Sequence, residues 1–270
     1  MIPTISTIRI YPIKGLSGTS LETAVVGRHS LQFDRQFAME LEDSSLLNGK
    51  KDPRVNLISL DFDFTNEAIS IQEKESKAEH IFELRVDNHD LDDFLSSFFH
   101  QRLRLITDTD GGLMDVPRRG SLSVYSEASL KALHQDLGRH DLDNLRARFR
   151  SNIELTGVEP YWEEQLYDRP GHGVAFSIGE VACIGAKPRV RCPVPPQDPE
   201  SGQIDKHFVR DHIAHRNKPE HGGEKLLRYN NGVYFFAVDA FIPLSEEGKV
   251  IQTGDSIEIG EIVDLKPYGL

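Results

Sequence analysis

The sequence has few of the residues that define specialised classes of protein. Only two of its 270 residues are cysteines, Cys183 and Cys192. A secreted disulfide scaffold carries more cysteines, and a four-thiolate zinc or iron–sulfur site requires more. No apolar run approaches the roughly 20 residues that a membrane-spanning helix needs. No basic segment followed by an apolar segment opens the chain. We therefore expect a cytoplasmic protein with reduced thiols and no membrane contact.

The sequence also lacks an excess of positive charge. It has 31 Lys and Arg against 43 Asp and Glu, which gives a formal net charge of −12 at pH 7. Such an acidic surface repels nucleic-acid phosphates and anionic lipid head groups, so no nucleic-acid partner is expected. Clusters of basic residues run against this background and are therefore informative.

Short alternating segments dominate the chain. Residues 5–13 and 57–64 alternate apolar and polar side chains, as half-buried strands do, and residues 57–64 are followed by a turn into a second strand. Helices are predicted over residues 91–99 and after Ser126, which is a good capping residue. Many strands with few helices predict a β-rich α+β fold, barrel-like or sandwich-like. The loop at 108–119 is rich in Asp, Gly, Pro and Arg, so we place a lobe boundary between residues 118 and 119.

Cys192 lies in the segment Lys187-Pro188-Arg189-Val190-Arg191-Cys192-Pro193. Positive neighbours stabilise a thiolate, which is the form that acts as a nucleophile and binds soft metals. A proline-rich loop is predicted at residues 188–202, and its prolines would stiffen it and hold the sulfur in place. The alternatives are a buried, inert cysteine or a disulfide with Cys183 that would close a very short loop. Cys183 itself fits an inert core cysteine, because it lies inside an alternating strand with no nearby cation.

A second basic cluster contains Arg146, Arg148 and Arg150. Alternate arginines in an extended segment would project to one face, and three guanidiniums on one face suit a phosphate or another polyanion. The alternative is a solvated basic patch that offsets acidic neighbours. Lys14, Arg35 and the pair at 118–119 add cations that, taken singly, would be ordinary surface charges.

Histidines offer a different kind of site. His207, His212 and His215 have ligand-like spacing, with His221 nearby, and three imidazoles can hold zinc. No H-E-x-x-H pattern accompanies them, and the segment is polar. These two observations count against a zinc site, but a zinc hydrolase stays open as an alternative.

Together, these segments resemble the MOSC family, specifically its amidoxime-reducing branch with an N-terminal β-barrel lobe. The motifs occur in the family's order over nearly the whole chain. They are Tyr11-Pro12-Ile13-Lys14-Gly15, Asp34-Arg35, Ser126-Glu127-Ala128-Ser129, Phe149-Arg150-Ser151-Asn152-Ile153, Arg191-Cys192, Asp198-Pro199-Glu200-Ser201-Gly202, Tyr234-Phe235 and Gly254-Asp255. Gly15 and Ser151 depart from the Ser and Pro that the family often has at these positions.

The resemblance implies a MOSC β-barrel domain at 119–270, packed with an N-terminal β-barrel lobe at 1–118. It also implies a molybdenum cofactor of the molybdopterin type, with Cys192 as metal ligand and catalytic residue. The residues that would bind the cofactor are Lys14, Gly15, Arg35, Ser126, Ser129, Arg150, Asn152 and Arg191. The free N–H groups at the helix start after Ser126 would help to bind the phosphate.

The function that the resemblance implies is an oxidoreductase that reduces N-hydroxylated or N-oxygenated small molecules. No cysteine follows Cys192. We therefore expect no iron–sulfur cluster in this chain, and electrons would come from a separate ferredoxin-like or cytochrome-like protein. No pyridoxal phosphate is expected either. The alternative is a cofactor-binding module, or a carrier of sulfur as a persulfide on Cys192, without turnover.

Overall fold

The computed structural model describes residues 2–28, 30–110, 112–114, 122–229 and 234–269, and of Glu224 it describes only the backbone. These residues form fifteen strands: β1 Thr4–Ile10, β2 Thr19–Leu21, β3 Thr23–Val25, β4 Phe37–Leu41, β5 Ile58–Asp63, β6 Ala68–Glu73, β7 Glu79–Glu83, β8 Leu103–Thr107, β9 Leu122–Ser126, β10 Ile153–Thr156, β11 His172–Ile178, β12 Val181–Val190, β13 Phe235–Phe241, β14 Val250–Gln252 and β15 Ile257–Asp264. The α-helices are α1 His89–Phe99, α2 Glu127–Leu137, α3 Leu142–Phe149, α4 Phe208–Arg216 and α5 Gly223–Leu226. The predicted β-rich α+β class is confirmed. No helix among the described residues is both long and apolar enough to cross a membrane.

The largest sheet has eight strands in the order β15-β11-β12-β13-β9-β10-β1-β2. Its β1 comes from the start of the chain and pairs antiparallel with β10, so that Ile8 faces Ile153. Near the other end of the chain, β14 pairs antiparallel with β3. Strands from the first and second halves of the chain are therefore hydrogen-bonded to one another, and one apolar core spans both.

The remaining strands form two smaller sheets, β4-β8 and β5-β6-β7. The predicted hairpin after residues 57–64 is confirmed, with Leu60 opposite Ile71 in the β5–β6 pair. Their period-two pattern buries Ile58, Leu60 and Phe62 while Asp61 and Asp63 stay exposed. Burial of each such side chain contributes about 1.5–3 kcal/mol, which fixes the register of this sheet.

Both helices expected from the sequence form where the caps predict. The Asn88 side chain accepts a hydrogen bond from the Leu91 N–H at the start of α1. The Ser126 side chain accepts one from the Ser129 N–H at the start of α2. Each helix turns its three- and four-spaced apolar residues toward the core, and each ends in a residue with left-handed backbone.

The arginine cluster at 146–150 lies on a helix, and the prediction of an extended segment is wrong. Asp141 caps α3 by accepting a hydrogen bond from the Asn144 N–H. Leu145 and Phe149 lie four residues apart on its buried face, which is helical spacing that the alternating arginines concealed. Arg150 ends the helix with a left-handed backbone at φ 51°. The three arginines consequently point in different directions.

Two further predictions concern segment boundaries. The predicted loop at 188–202 begins later than expected, because β12 continues through Pro188 to Val190. The pairing of β12 with β13 is irregular between Pro188 and Val190. Such an irregularity is where a strand tolerates a proline. The boundary between residues 118 and 119, with its two arginines, lies outside the described residues and stays a prediction.

Candidate functional site

A cavity of about 350 Å³ lies between side chains from both halves of the chain. It brings together six of the residues that the sequence singled out: Lys14, Gly15, Arg35, Arg150, Arg191 and Cys192. Among the described residues, eight lysines and arginines line it, against a single carboxylate. In a chain with net charge −12, this concentration of cations identifies a place where an anion would be stabilised.

Cys192 lies in the loop after β12 and is half-buried at the wall of this cavity. Arg150 and Arg191 both interact electrostatically with its thiol. Cys183 lies within β12, is 2% exposed, and is also a free thiol. Burial, with a smaller contribution from Glu246, raises the pKa of the Cys183 thiol well above its usual range. The two cysteines therefore differ as the sequence predicts: one is in the core and one faces a cationic cavity.

This difference predicts selective alkylation of the cofactor-free protein. Iodoacetamide should modify Cys192 at least about 10-fold faster than Cys183, because attack requires an accessible thiolate. Peptide mass spectrometry after timed quenching measures both rates in one sample. Equal rates at the two positions would contradict this description of the site.

Three cations of the cavity are neutralised within the protein. They form ion pairs with carboxylates: Arg35 with Asp34 at 2.7 Å, Arg148 with Asp198 at 3.0 Å and Arg189 with Asp239 at 2.5 Å. These pairs fix the guanidiniums in place.

Arg150 and Arg191 carry the clearest unfilled donors. Among the described residues, no acceptor forms a hydrogen bond with the Arg150 side chain, which stacks on the Tyr11 ring at 4.3 Å. Arg191 donates to the Phe149 carbonyl, but its buried Nε has no partner. Burial lowers the pKa of each guanidinium to about 10, so both stay charged at neutral pH. Both residues are half-buried at the cavity wall, and cationic donors without acceptors at such a wall favour an anionic ligand.

Tyr11 and Asp34 hold the N-terminal side of the cavity together. The sequence places both in family motifs but predicts no role for either. The Tyr11 ring lies between the guanidiniums of Arg35 and Arg150, 4.3 Å from each. Asp34, which is buried, accepts hydrogen bonds from the Tyr11 N–H and from Arg35. Arg35 also donates to the Arg150 carbonyl at 2.7 Å, so the two halves of the chain are bonded beneath the cavity.

Gly15 has a local structural reason. Its φ of +95° disfavours any side chain, and an added Cβ would lie 3.3 Å from the Asn48 Cα. This residue therefore lets the backbone after β1 pass close to the segment at Asn48. A serine here would require the backbone to rearrange.

The Cys192 loop is tethered to α3 through Arg148, which in the sequence is only one member of a basic cluster. Arg148 is 3% exposed and donates to the Pro195 carbonyl at 2.9 Å and to the Asp198 carboxylate at 3.0 Å. Asn144 and Ser201 also donate to Asp198. Burial alone would raise the pKa of Asp198, but the hydrogen bonds from Asn144 and Ser201 lower it to about 2.

The lowered pKa of Asp198 predicts a contribution to acid stability. Its unfolded carboxyl titrates near 3.8, so the stabilisation is complete above about pH 5 and is lost as pH falls through the folded pKa of about 2. Replacing Asp198→Asn should lower the free energy of unfolding at pH 7 and flatten its dependence on pH between about 4 and 2. Urea unfolding at several pH values measures this. An unchanged pH slope would show that Asp198 is not stabilised in the folded state.

Gln197 fastens the same loop to the N-terminal half. Its side-chain amide donates to the Gly49 carbonyl at 2.6 Å and accepts from Asn56 at 3.1 Å. An added Cβ on Gly49 would lie 3.0 Å from the Gln197 Oε1. The loop that carries Cys192 is therefore held from two sides.

Three predicted site residues lie away from the cavity. Ser126 and Ser129 are fully buried, and Ser129 donates to Glu163 at 3.0 Å and accepts from the Tyr161 N–H. Asn152 is buried and links Ser123, Arg9 and Asp34. The Ser126 side chain occupies the start of α2, and neither Ser126 nor Ser129 is among the residues that line the cavity. The proposed site therefore does not include these three residues.

The structure does not bring the three predicted zinc ligands together. His207 is exposed, and His212 is buried with its Nε2 on the Phe235 carbonyl. Within the described part of the chain, the ligand atoms that approach one another within 4.8 Å belong to Asp136, His215 and His221. Both ring nitrogens of His215 are already hydrogen-bonded, to Asp136 and to Tyr161. We therefore interpret this group as an internal network of hydrogen bonds and not as a metal site.

Comparison with known proteins places these features in a family. Residues 2–110 match the MOSC N-terminal beta barrel domain, and residues 114–258 match the MOSC domain. The human protein named molybdenum cofactor sulfurase is 23% identical over 253 residues, which cover 76% of this chain and 28% of that protein. The chain thus spans less than a third of this relative's length.

Two solved structures also align with the chain. The YUAD protein from Bacillus subtilis has a TM-score of 0.39 and 11% identity, with 96% of each chain covered. YiiM from Geobacillus stearothermophilus has a TM-score of 0.26 and 17% identity, covering 58% of this chain and 67% of its own. The two family matches together extend over almost the whole sequence, and the chain belongs to the MOSC family, with a MOSC N-terminal β-barrel domain followed by a MOSC domain.

Proposed function

We propose that the chain binds a molybdenum cofactor of the molybdopterin type and reduces N-hydroxylated compounds with electrons from a separate protein. The observation that carries this proposal is a thiol, Cys192, in one cavity with the unfilled donors of Arg150 and Arg191. A thiolate is a soft metal ligand, and the guanidiniums suit a phosphate and other anionic groups. The donor set therefore fits an anionic metal cofactor.

In this proposal the thiol and the cations of the cavity have different roles. Cys192 would bind molybdenum, while Arg150, Arg191, Lys14 and Arg35 would hold the anionic part of the cofactor. When bound, the cofactor supplies the two-electron redox chemistry, and the protein supplies orientation and field. The tethers through Arg148 and Gln197 keep the sulfur in place.

The net reaction sets what else the cavity must provide. Reduction of an amidoxime, R–C(NH2)=N–OH, takes two electrons and two protons, breaks the N–O bond and gives an amidine and water. The electrons would come from a ferredoxin-like or cytochrome-like reductase. Val190, Val194 and Pro195 give the cavity an apolar wall that would bind the organic part of the substrate and exclude bulk water.

A second candidate function is favoured by the human relative's name. A chain similar to part of a molybdenum cofactor sulfurase could bind the cofactor, or carry sulfur as a persulfide on Cys192, without turnover. A persulfide adds about 32 Da to the Cys192 peptide by mass spectrometry, in protein free of molybdenum. The reductase proposal expects no such adduct.

The experiment that tests the reductase uses protein purified from a host that makes the cofactor. Elemental analysis should find molybdenum, and benzamidoxime should be converted to benzamidine when reduced methyl viologen supplies electrons. A control without viologen excludes electron-independent conversion. A protein saturated with molybdenum but inert on amidoximes, hydroxylamines and N-oxides would contradict the reductase and favour the binding module.

A further inference from the structure

Asp239 is the only carboxylate among the described residues that line the cavity. It lies in β13, directly opposite Lys187 of β12, on the strand pair that leads to Cys192. No sequence motif pointed to it. Every other charged side chain that the structure describes in the lining is a cation, so Asp239 is chemically the exception among them.

The Asp239 carboxylate is only partly satisfied. Its one ion pair is the 2.5 Å contact between Oδ1 and the Arg189 Nε, which lacks hydrogen-bond geometry, and the described residues donate no hydrogen bond to it. A carboxylate offers about four acceptor positions. The residue is nevertheless buried, with only 9% of its surface exposed. A buried carboxylate with open acceptor positions at a cavity wall favours a ligand that brings its own donors.

The surrounding charge explains why this acceptor matters. Arg150 and Arg191 supply donors for the anionic cofactor, but a cation offers nothing to the N–H groups of a substrate. An amidoxime carries an NH2 group and an O–H group, both of which donate. A carboxylate accepts from such groups with charge-assisted hydrogen bonds, roughly twice as strong as neutral ones. A tertiary or aromatic N-oxide has no donor and gains nothing from Asp239.

We propose that Asp239 is a substrate-binding residue that accepts a hydrogen bond from the N–H or O–H group of an N-hydroxylated substrate. This rests on the proposed reductase function and deepens it. It assigns the site to donor-bearing compounds such as amidoximes in preference to N-oxides that lack a donor. The competing structural role, holding Arg189 by charge alone, predicts no such preference.

The test measures binding without turnover. Benzamidoxime and pyridine N-oxide are titrated by calorimetry into cofactor-loaded protein with no electron donor present. Asp239→Asn should weaken benzamidoxime binding about 10-fold or more and leave pyridine N-oxide within about twofold. Asp239→Glu, which keeps the charge, should lie between. The matched control is Asp205→Asn, which removes an aspartate paired with Arg139 at 2.7 Å but outside the cavity lining.

Two further measurements keep the result interpretable. Molybdenum content and the thermal midpoint of each variant separate ligand recognition from loss of the fold. If Asp239→Asn alone does not fold, the double variant Asp239→Asn with Arg189→Gln removes the ion pair as a unit and should show the same selective loss.

Equal weakening of both ligands, an unchanged benzamidoxime Kd, or no benzamidoxime binding to the wild type would overturn the role of Asp239. Binding that depends on Asp239 in a protein that never reduces benzamidoxime would instead refute the reductase and leave Asp239 as a binding residue. Turnover with no selective effect of Asp239→Asn would do the reverse.

Discussion

Replacing Cys192→Ser is expected to abolish molybdenum retention and amidoxime turnover together. The hydroxyl of serine stays protonated at neutral pH and is a poor ligand for a soft metal site, whereas the thiolate is a good one. The change exchanges one sulfur atom for an oxygen at a half-buried position, so the fold should persist. We expect turnover to fall at least about a thousandfold, as it does when a catalytic residue is removed from an enzyme.

The matched control is Cys183→Ser. Cys183 is buried within β12, so this variant should lose about 1–3 kcal/mol of stability from burying a hydroxyl but keep its molybdenum. Inductively coupled plasma mass spectrometry measures the metal in both variants, and circular dichroism follows the fold. Equal molybdenum content in the two variants would contradict the assignment of Cys192.

Replacing Arg150→Met is expected to weaken cofactor retention with little loss of packing. Methionine keeps much of the side-chain length beside the Tyr11 ring but removes the charge and the unfilled donors. Each charge-assisted hydrogen bond contributes about 1.5–3 kcal/mol, which corresponds to roughly 10- to 100-fold in affinity. Dialysis of loaded protein, with molybdenum measured over time, gives the rate of loss.

Two variants bracket this result. Arg150→Lys keeps the charge but not the planar fork of donors, so its retention should fall between those of the wild type and Arg150→Met. Arg210→Met removes an exposed arginine of α4 that pairs with Asp211 and should change nothing. If Arg150→Met and Arg210→Met lose molybdenum at the same rate, the unfilled donors of Arg150 do not bind the cofactor.

Local patterns predicted the elements whose burial follows a simple period. The alternation at residues 57–64 gives β5, and Ser126 caps α2 as expected. The arginines at 146, 148 and 150 misled, because their alternation imitates a strand, whereas Arg148 is buried on a helix and Arg150 ends it. The helix is specified instead by the Asp141 cap and by Leu145 and Phe149.

Candidate site residues were predictable where chemistry is local and unpredictable where it depends on distant contacts. Cys192 stood out because its cations are neighbours in sequence. Asp239 gave no signal, since its position opposite Lys187 arises only when β12 and β13 pair. Ser126 and Ser129 fit a motif, but packing turned them toward Glu163 and away from the cavity.

The most direct test of the account is X-ray absorption at the molybdenum edge of protein purified from a host that makes the cofactor. It should find one sulfur ligand more than the two that the pterin supplies, and the Cys192 thiol should at the same time be protected from iodoacetamide. A metal with pterin sulfurs alone, or a Cys192 that alkylates freely in molybdenum-loaded protein, would contradict it.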